Sequence, residues 1–153
     1  MEKPRFDWLP AVKIGLVGGA IGVLLALVGM VEAFSIRDIV NGIVSMGQML
    51  MLISIAFTGY MAARRTTQPQ HLGVLGSSLL AGLLFGGMMA LLLIVGSLVN
   101  LRAVFINASP TLYELLAFGR GTQAGALLLL AEGALVGVAA GLLYLLPGRY
   151  RQA

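Results

Sequence analysis

LLLLAEGALVGVAAGLL, from Leu127 to Leu143, is apolar and dense in small residues, and one carboxyl group, Glu132, interrupts it. Extended to Thr122 on one side and Leu146 on the other, the stretch is long enough to cross a hydrocarbon core, which takes roughly 20 helical residues. A chain in lipid must satisfy its backbone within the segment, so the stretch reads as a helix. An ionisable side chain near the centre of such a helix is costly and usually faces protein or water. Where Glu132 points is therefore the question the rest of the chain has to answer.

The composition agrees with a membrane setting. The 153 residues are 59% hydrophobic and only 10% charged, and mean hydropathy is +0.97. Soluble domains carry about a quarter charged residues. Cysteine is absent and histidine occurs once, which excludes disulfides, thiolate metal centres and His-rich metal sites. The net charge of +4 is not gathered on one polar face. Lys and Arg fall in short stretches between apolar runs, the membrane-protein pattern, so nucleic acid is not an expected partner.

Three further stretches match the first in length: about 11–34, 39–63 and 72–99, with the fourth at about 122–146. The expected fold is thus an all-α integral membrane domain of four transmembrane helices covering 1–153. The first stretch is longer than the h-region of a signal peptide and is read as a retained helix. In "SIRD", Ser35 stands three residues before Asp38, a capping signature that predicts a tight turn into the second helix. "ARRTTQPQH" forms a polar loop. In the long connection before the fourth helix, Ser109-Pro110 starts a helix and Gly119 stops it. Leu112, Leu115, Leu116 and Phe118 share a face, which predicts a short amphipathic helix over 110–118 lying in the membrane interface. Asn107 opens a sequon that is read as a chance match. Four crossings put both termini on one side, which carries Lys3, Arg5, Lys13, Arg64, Arg65, Arg149 and Arg151. The other side carries Arg37, Arg102 and Arg120. Seven against three predicts cytoplasmic termini, with Trp8, Tyr60, Tyr144 and Tyr150 as an aromatic belt there.

Polar and small residues inside the spans supply the site candidates. Asp38, Asn41, Ser45 and Gln48 follow one another at helical spacing and predict a polar stripe on the second helix. Gln48 is expected near mid-depth, where its amide could bond Glu132. The functional reading of Glu132 is a proton or substrate site; the structural reading is a hydrogen-bonded or protonated group that fixes packing, and it is the stronger because no other charge lies at that depth. Gly15 with Gly19, Gly18 with Gly22, Gly82 with Gly86, and Gly133, Gly137 and Gly141 are small-xxx-small pairs that permit close helix approach. Gly121 and Gly125 extend the last series, and Gly125 is expected on the Glu132 side of the contact. His71 is a weaker candidate, as an axial ligand for chlorophyll or haem. Met46, Met49, Met51, Met88 and Met89 read as adaptable packing. "GVLGSS" and "GRGTQAG" lack the lysine of a phosphate loop. No catalytic or metal-binding constellation is expected, and no enzyme activity.

The stretch from Ile14 to Leu52 resembles the extra membrane segment that precedes the core in some bacterial branched-chain amino-acid ABC transporter permeases. Gly29-Met30-Val31-Glu32-Ala33-Phe34, Arg37-Asp38-Ile39 and Ser45-Met46-Gly47 carry the resemblance, which covers about the first third of the chain. Such permeases work with ATPase subunits and a periplasmic binding protein. This chain is short for a whole permease and has no evident coupling loop. The resemblance therefore implies an accessory inner-membrane portion beside other membrane subunits, an ABC ATPase and a permease core. Two other readings stay open: an accessory scaffold of a respiratory or photosynthetic complex, holding lipid, quinone or pigment, and a small proton-coupled carrier using Glu132.

Overall fold

The computed structural model describes residues 8–35, 37–40, 44–66, 71–99 and 110–149. These form α1 (Leu9–Leu27), α2 (Met30–Ser35), β1 (Asp38–Val40), β2 (Val44–Ser45), α3 (Met46–Arg64), α4 (His71–Leu98), α5 (Pro110–Leu116) and α6 (Thr122–Arg149). Four of them, α1, α3, α4 and α6, are long and apolar enough to cross a membrane. The chain is a multi-pass membrane protein by that measure.

α4 and α6 begin within a residue of the expected bounds, and α6 runs three residues further. The first two spans need correction. The expected helix over 11–34 is broken at Gly29, whose φ of +84° sends the backbone into the left-handed region. Ser35 does not cap the next helix: its hydroxyl donates to the Glu32 carbonyl at 2.6 Å and closes α2. The segment that follows is extended. Asp38 pairs with Ser45 and Val40 with Val44 in a short antiparallel ladder, the one departure from helix among the described elements.

α3 therefore starts at Met46, not at residue 39. Its N-terminus is fixed by a capping box: the Gln48 backbone N–H donates to Ser45 Oγ at 3.2 Å, and the Ser45 backbone N–H donates to Gln48 Oε1 at 3.0 Å. Two otherwise unpaired backbone donors are satisfied reciprocally. The signal for this was present as Ser45-Met46-Gly47-Gln48. β-Branched residues flanking Asn41-Gly42 are likewise a hairpin pattern. A helical stripe from Asp38 to Gln48 does not exist, because Asp38 lies in β1; Asn41 lies outside the described residues.

The spans alternate in direction. Residues of α4 and α6 meet in opposite order (Ser78 with Gly137 and Gly141, Gly86 with Leu129), whereas α1 and α4 run together. The starts of α1 and α4 and the ends of α3 and α6 share one end of the bundle, the terminal end. There Tyr60 of α3 and Tyr144 of α6 meet edge to face at 5.6 Å. At the opposite end, α2 packs against α3 and α5, and α5 packs against α4 and α6. α5 is present, but its leucines turn into the protein: Leu112 and Leu116 are buried with Val31, Met51, Phe85, Leu93 and Leu129 in the main core.

Candidate functional site

Glu132 is half-buried on α6. Side chains on a helix lean toward its N-terminus, so its carboxyl leans toward the end closed by α2 and α5. It borders a cavity of about 20 Å³ lined by Val31 of α2, Gln48 and Met51 of α3, Leu115 and Leu116 of α5, Phe118 and Leu129. That is the size of a single water molecule. Among the described residues the wall is apolar except for Gln48 and Glu132 themselves.

The two polar groups share the cavity without bonding each other. Gln48 Oε1 is occupied by the Ser45 N–H, and no hydrogen bond reaches the Glu132 carboxyl among the described residues. The register between α3 and α6 explains this. Gly59 lies opposite Gly137, so Gln48 is level with position 126, six residues short of Glu132, or about 9 Å along the axis. Gln48 is in the first turn of α3 and not at mid-depth.

The glycines lie in tight helix contacts within the chain. A Cβ on Gly82 would strike the Gly133 carbonyl, and one on Gly133 the Gly82 carbonyl. A Cβ on Gly86 would strike the Leu129 carbonyl, and one on Gly137 would come within 2.5 Å of the Ser78 carbonyl. Gly59 closes the third side, 3.0 Å from Gly137 Cα by the same construction. Thus α3, α4 and α6 converge on Gly137. Gly141 faces Ser78. Gly125 belongs elsewhere: it packs on Ala117 and Leu93, toward α5, and not in the seam. On α1, Gly15, Gly19 and Gly22 face α4, while Gly18 faces Thr58 of α3. All of these glycine contacts lie within the chain.

Ser78 was overlooked in the sequence. Fully buried, it donates to the Val74 carbonyl of its own helix at 2.9 Å and to the Gly59 carbonyl of α3 at 3.1 Å. It is a polar tie between two spans at the glycine crossing. A serine among glycines and leucines, as in "LGSSLL", is the signal that could have found it.

His71 is exposed at the first turn of α4, at the mouth of an apolar groove of about 620 Å³ lined by Leu75, Ala139, Leu142, Leu143, Leu145 and Leu146. No cluster of three or more His, Asp or Glu side chains occurs among the described residues. No family model, curated protein or solved structure matches the chain.

Proposed function

We propose that the chain is a non-enzymatic inner-membrane module that packs within a larger transport assembly, related to the extra segment of branched-chain amino-acid ABC permeases. One observation carries this reading: the carboxyl group inside the bundle borders a space the size of one water, walled by leucine, valine, methionine and phenylalanine. A carrier of amino acids or of any organic solute needs a larger chamber at its ionisable group. The stretch with the permease resemblance, from Ile14 to Leu52, includes α2, Gly47 and Gln48, the corner that covers Glu132. Gly47 lets α3 approach the Val31 carbonyl, so this corner is a packing device.

In this reading the terminal end faces the cytoplasm, and α5 lies at the periplasmic surface. Lys13, Arg64 and Arg65 at the first end, against Arg37 and Arg120 at the other, support that orientation among the described residues. Reporter fusions at Arg65 and Ala153 should read cytoplasmic and one near Asn107 periplasmic; a periplasmic signal at Ala153 overturns the orientation. Gentle extraction at native expression level followed by native mass spectrometry tests the function. An ATPase and further membrane subunits in the particle are expected. Pigment absorbance with no ATPase favours the energy-converting scaffold instead, and a free monomer defeats both.

A further inference from the structure

The outer surface between α1 and α3 differs from the rest of the bundle. The two helices touch at Gly18, where a Cβ would come within 2.5 Å of the Thr58 side chain. On either side of that contact Val17, Ile21 and Phe57 stand up, 60%, 51% and 64% exposed. The result is a groove of about 430 Å³. Its polar lining is already satisfied within the chain. Ser54 Oγ donates to the Leu50 carbonyl at 2.9 Å, and Thr58 Oγ1 donates to the Ser54 carbonyl at 2.8 Å. Hydroxyls folded back onto their own helix leave a wall that offers hydrocarbon contacts.

The groove has a direction. Lys13 and Arg65 line its terminal end, and Ile21 with Ser54 lines the other. Lys13 to Ile21 is eight residues, about 12 Å of helix. Half of a hydrocarbon core is about 15 Å. The groove therefore has the length of most of one leaflet; Arg65 stands just beyond the end of α3 and Lys13 one turn inside α1, from where its long side chain reaches toward the headgroups. Neither cation has a carboxylate partner among the described residues. Among the described residues, His71 is the one ionisable group at the mouth of the larger groove between α4 and α6.

We propose that this groove is a binding site for an anionic phospholipid of the leaflet at the terminal end, with the phosphate between Lys13 and Arg65 and one acyl chain along Val17, Gly18 and Phe57. Charge complementarity selects the headgroup, and the groove's length and dryness select an acyl chain over a soluble anion. The site depends on the chain crossing a membrane. It does not depend on which side the termini face, or on the partner assembly.

The test uses the full chain in nanodiscs of equal phosphatidylglycerol and phosphatidylcholine, with retained lipid read by native mass spectrometry. The wild type should retain phosphatidylglycerol preferentially. The double variant Lys13→Gln, Arg65→Gln should lose about thirtyfold in that preference, equivalent to about 2 kcal/mol, or about 1 kcal/mol for each cation. Arg64→Gln, at an exposed neighbour outside the groove, should leave the preference intact; an equal loss there means diffuse surface charge and overturns the site. A second measurement needs no variant. Phosphatidylglycerol with a photoactivatable group midway along its acyl chain should label Val17, Ile21 and Phe57. Labelling of Leu127 and Leu135, which are more exposed on α6, to the same extent overturns the proposal.

Discussion

Gly86 and Gly87 are adjacent on α4, yet they should respond oppositely to the same added methyl group. A Cβ at Gly86 would strike the Leu129 carbonyl oxygen and come within 3.1 Å of Leu129 C and 3.2 Å of Leu130 Cα. All three are backbone atoms of α6, so none can swing aside, and relief requires the two helices to part. A Cβ at Gly87 meets only the Leu130 Cδ2 methyl, at 3.7 Å, an ordinary contact with a flexible side chain. Replacing Gly by Ala in a helix brings a propensity gain of up to about 1 kcal/mol. That gain is common to both sites and cancels in their difference. What remains is overpacking, on the order of 1–3 kcal/mol, so Gly86→Ala should be less stable than Gly87→Ala by that amount. It corresponds to roughly five- to 150-fold in the folded-to-unfolded ratio. Unfolding in mixed micelles of SDS and a mild detergent, followed by circular dichroism, reads the gap directly. Two variants with the same midpoint and slope would show that α4 and α6 do not approach at Gly86, and the glycine crossing with Gly82, Gly133 and Gly137 would fall with it.

Further predictions concern the corner opposite the terminal end. Ser45→Ala removes the side-chain acceptor of the α3 capping box and should cost about 1 kcal/mol; Gln48→Ala in the same background should add less than it costs alone, a non-additivity read from a double-mutant cycle. Tyr113, in α5 and outside the spans, has a buried hydroxyl without a hydrogen-bond partner among the described residues, and burial holds its phenol above the usual 10.0. Its neutral form is favoured in the folded state, so this contribution to stability is complete below about pH 10 and is lost as pH rises through the folded-state value. Ultraviolet titration should show one late-ionising tyrosine that disappears in Tyr113→Phe, a variant expected to be neutral or up to about 1 kcal/mol more stable. For Glu132, substitution by Gln should be mild and by Ala should cost on the order of 1–3 kcal/mol through a larger cavity, with Lys worst; a Glu132→Gln protein that assembles normally but loses an activity would make Glu132 a working site.

The spans α4 and α6 were legible to within a few residues because hydropathy and length determine them, and those are properties of composition. The breaks in the first two stretches were not. Gly29 lies in a run as apolar as any other, and glycine is common inside membrane helices, so hydropathy has no means of distinguishing a straight glycine from one with positive φ. Ile39, Val40, Ile43 and Val44 add to a hydropathy sum whether they are coiled or extended. The capping residues carried the missing information. Ser35 and Ser45 each stand three residues before a side chain able to reciprocate, Asp38 and Gln48. Only the second pair forms a capping box, because a helix follows Ser45, whereas Asp38 lies in the extended β1 and offers no helix N-terminus to cap.

The start of α3 at Met46 also explains why Gln48 and Glu132 line one cavity without bonding. A helix starting at residue 39 would carry Gln48 to mid-depth, opposite Glu132. Starting at Met46, α3 keeps Gln48 in its first turn, where its oxygen serves Ser45. The six-residue offset leaves a gap that neither side chain closes alone. Met51, Leu129, Val31 of α2, and Leu115 and Leu116 of α5 line the space between them. A polar pair aligned at one depth would have been a direct tie between spans, like Ser78 and Gly59. The staggered pair instead leaves Gln48 to its capping role and sets the Glu132 carboxyl beside an apolar-lined space, to which α2, beyond the break at Gly29, contributes Val31.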